Sequence, residues 1–176
     1  MFPWLSQLVG MTLAAVAAVG FAGEQSAAQA ASIYRGFHSL QLGMTIEEFT
    51  ANTPAEEVSR NPASRVFAVT RVPSDIYGVT ASFDGDRLAH IEVIYSSAYS
   101  ARTSWQTFVD VATGKYGTGF HLPTPGGDVE MWDDGQTTLI LERRAVTDEA
   151  TAYTLTLQDD AAALKRNSRC APRMDI

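Results

Sequence analysis

The sequence predicts an α+β fold in which an antiparallel sheet carries helices packed on one face. Three observations carry that expectation. Apolar residues alternate with period two in six short segments, and they recur at spacings of three and four between those segments. Asp-Gly dipeptides stand where consecutive alternating segments meet. The six segments form two groups of three, each introduced by a helical pattern. That order is consistent with a duplicated helix-plus-three-strands unit.

The first helix follows from Thr45, whose hydroxyl can accept from the free N–H groups of the first turn, and from Glu48 three residues on, which completes a T-x-x-E capping box. Glu47 and Glu48 also suit the positive end of the helix dipole. Ile46 and Phe49 mark the buried side, and Pro54 stops the helix near Asn52 by disfavouring the α conformation at Thr53. Three strands are expected next, over Arg65–Val72, Ile76–Phe83 and Arg87–Tyr95, the last two joined by a tight turn at Asp84-Gly85-Asp86. The period then changes. Trp105, Phe108, Val109, Ala112 and Tyr116 give an amphipathic helix within residues 100–117, ended by Gly117. A Gly- and Pro-rich loop over Gly117–Asp128 leads into strands at Val129–Trp132, Thr137–Arg143 and Tyr153–Gln158. Asp159-Asp160 can cap a final helix over Ala161–Asn167, and residues 168–176 form a flexible tail without pattern.

Residues 1–30 stand apart. They hold no Lys or Arg and one charged side chain, Glu24, and Leu8–Ala22 is an apolar run of signal-peptide length. Ala28-Gln29-Ala30 places small residues where a signal peptidase reads. The expectation is a signal peptide over 1–30 and a single domain over 31–167, located in the periplasm or secreted. An uncleaved anchor and a buried N-terminal helix are the alternatives. No cysteine follows the apolar run, which excludes a lipid-bearing one there.

Composition bounds the function. The chain has 176 residues, 45% apolar and 19% charged, enough to bury a core. Thirteen basic against twenty acidic residues give a net charge of −7, the wrong sign for a nucleic-acid surface. The lone Cys170 excludes an intrachain disulfide and any CxxC motif. His38, His90 and His121 share no metal-ligand spacing, no G-x-S-x-G elbow exists, and Gly114, Gly117 and Gly119 follow a helix, so they cannot cradle a phosphate at a helix start. Asp84/Asp86 and Asp133/Asp134 suit turns. No catalytic residue, metal ligand or cofactor is therefore nominated. The long 117–128 loop offers Phe120, His121 and Leu122 as contact candidates, with Trp132 as either core or the edge of an interface patch.

The run Leu40-Gln41-Leu42-Gly43-Met44-Thr45-Ile46-Glu47-Glu48-Phe49 resembles the L-x-L-G-M-T-x-E-E-V opening of a group of small bacterial envelope domains. That group includes the small lipoprotein of the outer-membrane β-barrel assembly machine and, more remotely, the β-lactamase inhibitor protein. Phe83–Tyr95 and Lys115-Tyr116-Gly117 extend the similarity. The resemblance implies helices on one face of a curved antiparallel sheet, and a non-enzymatic protein that binds another protein or a cell-wall component in the envelope. It carries over no binding residue, because the matched positions are caps and core.

The expected function is thus a non-enzymatic, exported binding protein. Its partner would be a protein or envelope component, without nucleic acid and without stable membrane insertion once the signal is removed. The competing expectation is a small-ligand-binding protein or periplasmic enzyme whose groups meet only in three dimensions, with His90, Glu92 and Asp110 as first suspects.

Overall fold

The computed structural model describes residues 32–124, 127–145 and 151–163. The signal-peptide segment, Cys170, the 168–176 tail and the latter part of the Ala161–Asn167 helix lie outside the described residues. Ten strands and three helices follow in order: β1 (Gly36–Phe37), β2 (Leu40–Gln41), α1 (Ile46–Asn52), β3 (Ala55–Asn61), β4 (Ser64–Val69), β5 (Ile76–Asp84), β6 (Arg87–Tyr95), α2 (Ser97–Arg102), α3 (Trp105–Tyr116), β7 (Phe120–Thr124), β8 (Gly127–Asp133), β9 (Thr137–Ala145) and β10 (Thr151–Asp159). A helical turn at 160–163 follows, its Ala162 N–H donating to Asp159 Oδ1 at 3.1 Å.

The fold is α+β and is dominated by one eight-stranded antiparallel sheet, in the order β3-β4-β5-β6-β10-β9-β8-β7. Each meander holds four strands, so the count of three expected after each helix is corrected. β3 and β7 are the additions, and they form the two edges. The meanders meet where β6 pairs antiparallel with β10, Ile91 opposite Leu157 and Val93 opposite Leu155.

Local chemistry fixes the elements that pattern predicted. Glu48 N–H donates to Thr45 Oγ1 at 3.1 Å, and Thr45 N–H donates to Glu48 Oε2 at 2.7 Å, a complete capping box. The Thr45 backbone N–H holds the Glu48 carboxyl below its ordinary pKa. Gly85 turns the β5–β6 hairpin at φ +60°. Residues 100–117 are not one helix. The chain breaks at Thr103, and Ser104 caps α3 by accepting from Thr107 N–H at 3.1 Å. β4 ends at Val69, short of the expected Val72: Thr70 N–H still donates in register to Pro54 O at 2.9 Å, but Pro54 has no N–H with which to continue the ladder.

One face of the sheet buries Phe67, Ala81, Ile91, Leu157, Leu139 and Trp132, which are paired in register from β4 to β8. Phe49 of α1 packs on Phe67 and Phe83 of this face, and Phe108 of α3 packs on Tyr95 and Tyr153. A register shift between Ser82 and Phe83 brings Phe83 opposite Leu88. Leu88 is therefore buried together with its neighbour Ala89, a break in the in-out alternation that the rest of β6 keeps.

Candidate functional site

The second face of the sheet is different in kind. Glu56, Ala68, Thr80, Glu92, Thr156, Ile140, Met131 and Phe120 stand opposite one another in a single row across all eight strands. The next row carries Ile94, Thr154, Glu142, Val129 and Leu122. These side chains are half-buried or exposed. At the β7 end the two rows become apolar, and Phe120, Leu122, Val129, Met131 and Ile140 lie side by side. Phe120 and Leu122 are 67% and 48% exposed.

The Gly117–Asp128 segment is therefore corrected: it is not a loop with Phe120, His121 and Leu122 at its tip, since residues 120–124 form edge strand β7 and residues 127–133 form β8. Alternation along β7 puts Phe120 and Leu122 on one face and His121 on the other. His121 Nδ1 lies 2.6 Å from Glu130 Oε1, its direct cross-strand neighbour. Of the two alternatives for Trp132, core and interface edge, its 4% exposure selects the core. Its ring lies over Gly119, where an added Cβ would meet Trp132 Cε2 at 2.7 Å, and its indole N–H donates to Gly117 O at 2.8 Å. Trp132 anchors the approach to β7 and offers no surface. Val129, Met131 and Ile140 are not among the contact residues that the sequence singles out. The signal was present in the alternation along β8, but the residues they meet are set by pairing.

His90 and Glu92 sit two apart on β6 on the second face, whereas Asp110 is on α3, bonded to Gln106 at 2.8 Å on the other side of the sheet. The three suspects of the competing reading do not converge. Among the described residues, no group of three His, Cys, Asp or Glu is placed to hold a metal ion, and no helix is long and apolar enough to cross a membrane.

On the helix side, a cavity of about 410 Å³ lies between α3, the sheet and the segment running through β1. That segment is tied down by charge. Ile33 N–H donates to Asp134 Oδ2 at 2.7 Å, and Arg35 reaches Thr137 Oγ1 at 2.9 Å and pairs with Asp159. His38, in the turn between β1 and β2, takes φ +52° and lines the cavity. Burial pushes up the hydroxyl pKa of Tyr95 and Tyr99, so these walls stay neutral phenols.

Burial also pushes the Asp134 carboxyl up, but the backbone N–H groups of Ile33, Gln136 and Thr137, with Arg35 nearby, outweigh it and leave its pKa below the ordinary value. A carboxyl lowered in the folded state stabilises that state above the unfolded pKa of about 4, and the contribution is lost as pH falls through the folded value. Asp134→Asn should therefore lower the urea midpoint at pH 7 and make its decline below about pH 5 shallower than in the parent. Identical acid slopes would remove the Asp134 anchor from the account.

No protein-family model, curated protein or solved structure matches the chain.

Proposed function

We propose that this chain is an exported, non-enzymatic binding module that takes another protein of the bacterial envelope on the second face of its sheet. The observation that carries the reading is the apolar end of that face, where Phe120 and Leu122 stand exposed beside Val129, Met131 and Ile140. Exposed large apolar side chains gathered beside polar ones are the composition of a protein contact surface. The Thr- and Glu-containing rows that continue from the patch supply the polar rim. In the same reading the two helix-plus-four-strand runs are a duplication whose helices share one face, leaving the other for a partner. The apolar run Leu8–Ala22 and the Ala28-Gln29-Ala30 sequence support export with cleavage after Ala30.

Both β edges support recognition through the face over recognition through a strand edge. Glu57 on β3 accepts from Arg60 and Arg65, which hold its carboxyl at about 2, so this edge is charged; β7 carries Pro123, which has no N–H to donate.

A photo-crosslinking residue at position 120 in the full chain, expressed in its bacterial envelope setting, tests the proposal. The expected result is one discrete protein adduct from position 120, lost when Leu122→Asp is added, and none from position 58 on β3. Absence of an adduct at 120, or equal adducts at 58 and 120, would overturn it.

A further inference from the structure

We propose that the cavity beneath α3 binds a single-chain amphiphile with an anionic head, the size of a fatty acid of about ten to twelve carbons. The site is on the opposite face of the sheet from the Phe120 patch, so it stands or falls independently of the proposed protein partner.

The floor is four leucines from two adjacent strands. Leu155 faces Leu141 and Leu157 faces Leu139 across the β9–β10 pair, and Phe108 of α3 forms a wall. This floor suits methylene groups, and the polar side chains lining the cavity, His38, Lys115 and four tyrosines, belong to its walls. Its volume of about 410 Å³ falls in the lower part of the range for small-molecule sites. An apolar cavity of roughly 150 Å³ takes benzene, so one of about 410 Å³ takes on the order of fourteen to sixteen heavy atoms. A twelve-carbon carboxylate has about that number, while a two-chain lipid of ordinary length has several times more.

The head group is chosen by charge. Lys115 lines the same cavity, and its ammonium sits 5.4 Å from the Tyr34 ring centroid and 5.0 Å from that of Tyr116. The rim is accessible, with Tyr34 56% and Val111 45% exposed. Arg35, Arg60, Arg65, Arg102, Arg143 and Arg144 each pair with a carboxylate. Lys115, like Arg71 and Arg87, forms no ion pair with a carboxylate among the described residues, and of these three it is the one that lines this cavity, where two aromatic faces hold its charge at the mouth. A cationic amphiphile would be repelled there, and a neutral one would leave the ammonium unused. A carboxylate completes the site with its chain on the leucines.

Calorimetric titration of the full chain with free fatty acids below their micelle concentrations tests this. Each buried methylene strengthens binding by roughly three- to fourfold. Affinity should therefore rise from octanoate to dodecanoate, then level or fall at hexadecanoate once the cavity is full. Lys115→Gln should weaken dodecanoate by about three- to fivefold, as expected for an exposed ion pair, and leave dodecanol unchanged. Val111→Trp, placed at the exposed rim to spare the core, should block dodecanoate while the thermal midpoint holds. An affinity that keeps rising through hexadecanoate, equal loss of dodecanol and dodecanoate in Lys115→Gln, or binding to phosphatidylglycerol vesicles without any to dodecanoate would each overturn the proposal.

Discussion

Phe49→Ala should lower the unfolding free energy by about 3–5 kcal/mol, the cost of removing a fully buried aromatic ring and leaving a cavity. Phe49 is 0% exposed and is the buried residue of α1. Its ring sits 5.2 Å from Phe67 and 5.3 Å from Phe83, which are themselves 5.5 Å apart, so one truncation removes two of the three mutual ring contacts. α1 has seven residues, too few to be stable alone, and its place depends on this docking rather than on its own propensity. Domains of this size are stable by only about 5–15 kcal/mol, so the variant should unfold at a much lower urea midpoint. Phe49→Leu, which refills most of the space, should lose well under half as much. A loss below about 1 kcal/mol in Phe49→Ala would mean that α1 does not rest on the sheet as described.

The second large effect is expected at Trp132→Ala, again about 3–5 kcal/mol by equilibrium denaturation. Here packing and hydrogen bonding act together. The ring is buried over Gly119, and the indole N–H satisfies Gly117 O at the end of α3. Trp132→Phe keeps part of the ring contact and removes the donor, so it should cost an intermediate amount, about 1–3 kcal/mol for the lost hydrogen bond and volume. Gly119→Ala attacks the same contact from the other side, since its Cβ would overlap the indole. All three loosen the connection from α3 into β7, and photo-crosslinking from position 120 should fall with them. Trp132→Ala that unfolds like the parent would place Trp132 outside the core and reopen it as a surface residue.

Much of the fold was legible because it is written in short-range chemistry. Arg87–Tyr95 has the same limits in sequence and structure, and the Thr45–Glu48 capping box and the Asp84–Arg87 turn form as their residues require. Each of these depends on neighbours a few positions away. β3 and β7 were not legible. The β3 sequence AEEVSRN leaves only Ala55 and Glu57 partly buried, and all five residues of β7 are exposed. These two edge strands pair on one side only and bury little: β3 is mostly polar, and the alternation of β7 is three residues, Phe120 to Leu122, before Pro123 interrupts it, too short to read as a strand. The same cause misplaced Phe120, His121 and Leu122 in a loop.

By itself, then, the sequence determined the antiparallel α+β class, the six inner strands, the cap of α1 and the aromatic face of α3, because period, turn and cap chemistry are local properties. Tertiary structure alone decided that β6 pairs with β10, that Phe120 and Leu122 share a face with Val129, Met131 and Ile140, and that Trp132 is interior. It alone also brought Lys115 and the leucines of β9 and β10 around one cavity. Those juxtapositions join residues far apart in the chain. They are chosen by which complete arrangement buries the most apolar surface while pairing every strand, a condition that no short stretch of sequence contains.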